Sequence, residues 1–398
     1  MIGAGAAAAV GVGSFYLGRE DEERRADTRV AFHGEHQAGI ATPAQDRLAF
    51  GAFDLVVDDR AALRDLLRRW TVAAELMAAG RTVGPVAPAD GAAPPIDTGE
   101  ALGLPSSRLT ITFGLGPGVF DDRFGLARRR PAALHDLGPL PGELLDAAKS
   151  GGDLCVQACA DDPQVAFHAV RNLARIGRGE ADLRWLQLGF GRTSATSTSQ
   201  TTPRNLQGFK DGTNNIKAED GEAMAKDVWV GADERQAWLH GGSYLVCRRI
   251  RMFVEAWDRA SLDDQQDTIG RFKESGAPLT GTHEHDPVDL TARRADGTPV
   301  VPVDAHVRLA APSANGGTRI LRRGYSFTDG IDPRTGQLDA GLFFIAFQRD
   351  PHRQFAAIQR RLGSADALNE YIQHVSSGLF AIPPGIRPGE HVAQALFD

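Results

Sequence analysis

DLCVQACADDPQVAFHAVRNLAR, residues Asp153–Arg175, is the stretch on which the fold reading turns. Its first part, Asp153 to Ala160, is small and mostly apolar over strand length, as in a buried strand. Asp161-Asp162-Pro163 then changes the local geometry. Asp162 is a candidate N-cap and Pro163 suits the first helical position, so a helix is expected through Arg175. Cys155 and Cys159 lie four apart on the strand, on one face but too far apart to bond directly. With Cys247 they make three cysteines, which is no disulfide framework, and they read as small buried hydrophobes.

Working outward, residues 48–57 form a strand carrying Phe50, Phe53, Leu55 and Val57. A helix follows over 58–79, with Leu63, Leu66, Leu67, Trp70, Ala73 and Leu76 at helical spacing and Gly80 ending it. Residues 83–107 read as a Pro/Gly/Ala-rich loop. Strands are expected at 109–113 and 183–189. The order strand, helix, strand, strand, helix, strand is that of a ferredoxin-like unit. The second half runs similarly. A strand lies within 238–255, where Tyr244, Val246 and Arg248 alternate against Leu245 and Cys247. A helix follows over 262–275, then strands at 318–327 and 342–348, a helix from Phe355 to Arg361, and a short apolar run at 379–382. The expected fold is therefore α+β: two ferredoxin-like halves with antiparallel sheets and peripheral helices, over residues 30–200 and 201–398.

The 398 residues are 42% hydrophobic and 24% charged, an ordinary globular balance. A net charge of −7 argues against nucleic acid as the main partner. Arg128-Arg129-Arg130 reads as a solvated loop. Residues 2–17 are small and apolar, too short and Gly-rich for a comfortable membrane span. They are similar to the apolar region of an export signal but lack a basic stretch before it. Residues 1–29 are read as a partial export signal, of twin-arginine type, or as a disordered Ala/Gly tail. The protein is accordingly expected outside the cytoplasm in the first case and within it in the second.

Three segments carry the chemistry. In Gly208-Phe209-Lys210-Asp211-Gly212-Thr213-Asn214-Asn215, glycines flank an acid, so a tight loop can present its carboxylate. In Val303-Asp304-Ala305-His306-Val307-Arg308-Leu309-Ala310-Ala311-Pro312, His306 sits in a mostly apolar, roughly alternating stretch, either as a core histidine or as a metal or haem ligand. In Arg319-Ile320-Leu321-Arg322-Arg323-Gly324-Tyr325-Ser326-Phe327, adjacent arginines on a strand point to opposite faces. Either both reach water or one is buried and needs an anionic partner.

In this order and spacing the segments resemble the dye-decolourising peroxidases, in particular the exported branch with deferrochelatase-like members. Phe32–Pro43 looks like that family's entry segment, Val156-Gln157 and Asp161–His168 like its first-half signature, and Gly341–Asp350 like its last core strand. Over about residues 30–390 the resemblance implies one haem b per chain, bound in the C-terminal half, and hydrogen-peroxide-dependent oxidation of dyes or phenolics through a ferryl intermediate. It makes His306 the iron ligand, with Asp211 and Arg322 opposite; Arg323 is one register step away. Gly212, Thr213 and Asn214 are expected at the haem edge, Ala311, Pro312 and Ser313 beside the porphyrin, and Asp350 as the acid on His306. The implied partners are hydrogen peroxide and a small aromatic or dye-like reductant, with a metalloprotein or iron-uptake partner as a further candidate. The oligomeric state, monomer or dimer, stays open.

Trp229, Trp238, Trp257, Tyr325 and Tyr371 are candidate electron carriers or plain core aromatics. Gly114-Leu115-Gly116-Pro117-Gly118 has the wrong spacing for a dinucleotide loop. His283-Glu284-His285-Asp286 is a polar loop with weak metal-site character. The competing reading is a haem-handling protein that releases iron or carries haem; a third is a binding protein without haem.

Overall fold

The computed structural model describes residues 29–398. The readings made for residues 2–17 lie outside the described residues. The first half runs β1 (Arg47–Leu55), α1 (Arg60–Ala78), β2 (Thr110–Leu115), β3 (Leu154–Ala160), α2 (Pro163–Ile176) and β4 (Ala181–Arg192). The second runs β5 (Ser243–Met252), α3 (Leu262–Ile269), α4 (His306–Ala310), β6 (Leu321–Arg322), β7 (Tyr325–Ile331), β8 (Leu338–Gln348), α5 (Ala357–Ala365) and β9 (Ile372–Ile382). Local chemistry sets the boundaries. Asp162 caps α2 through Gln164 and Val165 N–H, and Asp59 caps α1 through Ala62 N–H.

Two separate sheets were expected; a single sheet is found. Among the described residues, nine strands form one sheet in the order β5-β9-β2-β3-β1-β4-β7-β8-β6, and β5 also pairs with β8. The sheet therefore closes into a barrel. Each half contributes four neighbouring strands, β2-β3-β1-β4 and β7-β8-β5-β9, in the same internal order. They are joined where Leu115 meets Ala381 and where Phe190 meets Ser326. Closure leaves few backbone edges unpaired, which no single ferredoxin-like sheet achieves.

Side chains fill the barrel. Phe50 on β1 lies 5.3 Å from both Trp185 on β4 and Phe343 on β8, and 6.3 Å from Phe380 on β9. The three cysteines belong to this interior cluster and are free. Outside, α1 and α2 cover the first-half strands, with Leu63, Leu66, Trp70, Val170 and Leu173 against Phe53 and Phe113. No helix among the described residues is long and apolar enough to cross a membrane.

Two local expectations are corrected, and two stretches left without an assigned element take one. The helix expected to Ser275 stops at Ile269, because Gly270 adopts a left-handed conformation, φ 87°. The strand expected over 318–327 breaks at Arg323-Gly324 into β6 and β7. The stretch around His306, read as roughly alternating, is the short helix α4. The apolar run 379–382 is the end of the longer β9.

Candidate active site

The outer face of the second-half strands is the floor of a cavity of about 530 Å³. Arg248, Ile250 and Met252 on β5 line it, as do Leu342 and Phe344 on β8 and Ile372 and His374 on β9. Within each strand these alternate by two, and Arg248 pairs with Phe344, Ile250 with Leu342 and His374, and Met252 with Ile372. The roof is built from α3–α5 and the loops between them: Ile269, Val307, Ala310, Phe355, Ile358 and Leu362.

His306 opens α4 and lines this cavity. Its Nδ1 lies 2.6 Å from Asp366 Oδ2. Asp366 follows α5, and its other oxygen accepts from Leu368 N–H at 2.9 Å, so the carboxylate is fixed at both ends. Burial disfavours a charged imidazole here, but the charge and hydrogen bond of Asp366 outweigh it and hold the His306 pKa above its usual value. Nε2 has no partner among the described residues.

Asp350 is not that acid. Its Oδ1 accepts from His352 and Arg353 N–H at 2.9 and 3.0 Å, capping the helical turn before α5. Sequence reading missed Asp366 because nothing local distinguishes it; the contact joins residues 60 positions apart.

The loop Gly208–Asn215 faces the same cavity. Asp211 N–H donates to Pro203 O at 2.9 Å, and Gly212 takes φ 78°, where an added Cβ would meet the Ser194 backbone at 3.2 Å. The Asp211 carboxylate pairs with Arg322 and also accepts from Asn205 Nδ2 at 3.2 Å. Asn215 ties this loop to β6: it accepts from Arg322 N–H at 2.8 Å and donates to Arg322 O at 2.9 Å. The two arginines do point apart. Arg322 lines the cavity, whereas Arg323 is fully buried and donates to Thr42 O and Gln45 Oε1. Gly212, Thr213, Asn214, Ala311, Pro312 and Ser313 also line the cavity. Sequence reading missed Asn205, Asn215 and the apolar floor.

A cavity of this volume with an available imidazole, apolar walls and an acid–arginine pair fits haem. Arg271 and Arg319 at the lining add positive charge suited to its carboxylates. No cluster of three or more His, Cys, Asp or Glu among the described residues could hold a bare metal ion. Fold and site thus define a haem-dependent oxidoreductase.

Residues 37–191 match the family described as "Dyp-type peroxidase, N-terminal", and residues 202–387 match "Dyp-type peroxidase, C-terminal". The chain belongs to the Dyp-type peroxidase family and is a haem peroxidase. The deferrochelatase of Escherichia coli strain K12 is 40% identical over 361 residues, covering 89% of this chain and 84% of that protein. A DyP-type peroxidase from Streptomyces coelicolor superposes with a TM-score of 0.84 at 42% identity, covering 93% of this chain and 97% of that one. DtpA from Streptomyces lividans, solved as an oxyferrous complex, gives 0.85 at 41% identity, covering 93% and 97%.

Proposed function

We propose that the chain uses hydrogen peroxide to oxidise dyes, phenolics or similar electron donors, with His306 holding haem b through Nε2 and with Asp211 and Arg322 acting on peroxide. The observation that carries this is the Asp211–Arg322 pair facing the cavity that His306 lines. Haem supplies the redox chemistry when bound. The protein supplies orientation and protons. Asp366 accepts a hydrogen bond from His306 Nδ1–H, which fixes the tautomer and makes Nε2 a stronger electron donor to a metal. The Asp211 carboxylate takes a proton from one peroxide oxygen and delivers it to the other, which leaves as water. Arg322 balances negative charge during that transfer.

Donors too bulky for the cavity need a route for electrons from its lining to the surface. Trp257 and Tyr371 supply the best-placed pair. Their rings are 4.9 Å apart, and Trp257 Nε1 donates to the carbonyl of Gln207, a lining residue. Trp257 is buried and Tyr371 half-buried, so the pair leads outward; of the other aromatics, Trp238 stacks on Phe120, Tyr325 packs in the barrel interior and Trp229 stacks on His36 at 3.7 Å.

The second reading, haem-iron release, is favoured by the name of the deferrochelatase relatives. One experiment separates the two. Haem-loaded wild type, Asp211→Asn and His306→Ala are mixed with peroxide while the Soret band and the pigment are followed. A prompt Soret shift that needs Asp211, with iron retained, supports the peroxidase reading; iron-free porphyrin as the product supports the other. Export, inferred from residues 2–17 alone, is checked by fractionating cells that express the full chain.

A further inference from the structure

We infer that Glu284 is a positioning residue for the peroxide side of the cavity: it grips the Asp211 loop and occupies Lys210, leaving Arg322 as the cation that Asp211 meets. The inference rests on the role proposed above for Asp211.

Glu284 lies in His283-Glu284-His285-Asp286, the stretch with weak metal-site character. The histidine side chains are 85% and 74% exposed, whereas that of Glu284 is only 13% exposed. It turns inward onto the residues that bracket Asp211-Gly212. One oxygen pairs with Lys210 Nζ, and the other accepts from Thr213 Oγ1 at 3.1 Å. Burial opposes its charge, but hydrogen bonds from Lys210, Thr202 and Thr213 outweigh it, and the pKa falls below the usual value.

The backbone beneath is fixed as well. Arg271 donates to Gly276 O at 2.7 Å and to Glu284 O at 2.9 Å. Arg204 ties Gly208 O, at 2.7 Å, to Lys273 O and Glu274 O, both at 2.6 Å. Arg204 thus straps the start of the segment after α3 to the Asp211 loop, Arg271 holds the segment to itself, and Glu284 is the charged group that joins its far end to the loop.

Lys210 is the immediate neighbour of Asp211. Without the Glu284 carboxylate its ammonium would compete with Arg322 for Asp211, and the loop would lose one of its anchors. Lys217 and Arg271 also surround Glu284, so the local excess of positive charge would grow.

The test uses Glu284→Gln, which keeps the shape and a Thr213 partner but removes the charge. In haem-loaded protein, the rate constant for the peroxide-induced Soret change is expected to fall about tenfold, with the KM for a small phenol within about twofold of wild type. Lys210→Met combined with Glu284→Gln is expected to restore that rate to within about threefold, as a charge-pair role requires. In the haem-free protein, Glu284→Ala is expected to raise amide hydrogen exchange across residues 208–215 about tenfold. An unchanged rate in Glu284→Gln, or a double variant as slow as the single one, overturns the assignment. Asp211→Asn run in parallel keeps the two ideas apart. A loss there with none in Glu284→Gln overturns only the role of Glu284; no loss in Asp211→Asn overturns the reading of Asp211 itself.

Discussion

Two acids sixteen positions apart show what a side chain's neighbours decide. Asp350 caps a turn, and Asp366 holds His306. Asp366→Asn is therefore expected to retain haem but to slow the peroxide-induced Soret change by about 10–100-fold, the usual cost of losing a partner behind a metal ligand. Asp350→Asn should stay near wild type, and stopped-flow spectra of both variants decide it. The adjacent arginines divide in the same way. Arg323→Leu leaves Gln45 Oε1 unpaired in the interior and takes one of its two donors from the Thr42 carbonyl, so chemical denaturation should show a loss of about 2–4 kcal/mol. Arg322→Leu should instead slow the peroxide step about 100-fold or more while the denaturation midpoint moves little. His306, Asp211 and Arg322 were legible because three short segments, each weak alone, follow one another in the order and spacing of the family. Asp366 was not, because its meaning depends on a contact made only after the chain has folded back.

Among elements, capped helices and strands buried on both faces were legible, since Asp162, Pro163 and the apolar run 154–160 act locally. The rough apolar–polar alternation around His306 does not correspond to a strand. α4 is one short helix, and tertiary packing rather than periodicity fixes it. Gly270 is part of that packing: at φ 87° it ends α3, and an added Cβ would strike Val307, the residue after His306. Gly270→Ala is expected to cost about 1–3 kcal/mol through backbone strain and to weaken haem binding, because α4 must shift. Haem titration of the folded variant checks this; an affinity equal to wild type would show that α4 absorbs the methyl without moving. Inside the barrel, Phe50 touches three other strands, so Phe50→Ala should lower unfolding free energy by about 3–5 kcal/mol and leave the Soret maximum in place.

At the scale of the whole molecule, one histidine under the cavity contributes to the pH dependence of stability. His374 on β9 lies at the cavity floor, 5% exposed, with Nδ1 unpartnered among the described residues and Arg248 nearby. Burial first, and the Arg248 charge second, push its pKa down to about 3. Above about pH 6.5 the imidazole is neutral in folded and unfolded chains alike, so it adds no pH dependence. Below that, the unfolded chain takes up a proton that the folded one refuses. Stability falls as pH drops from about 6.5 toward 3, by up to about 2 kcal/mol at pH 5. Urea unfolding of haem-free wild type and His374→Gln at pH 7 and pH 5 tests this. The variant should lose less between the two pH values, and equal losses would place the acid sensitivity elsewhere.

By itself the sequence determined the α+β class, the element order of each half, the family resemblance and three of the residues that line the cavity. All of these are written in short-range patterns: caps, periodicity, and glycines around an acid. Only the tertiary structure decided that the two halves close into one barrel, that β5, β8 and β9 turn one face to a cavity, and that Asp366 stands behind His306. Those outcomes depend on strand register and on contacts between residues far apart in the chain, and a linear sequence states neither until burial of both sheet faces has selected one arrangement.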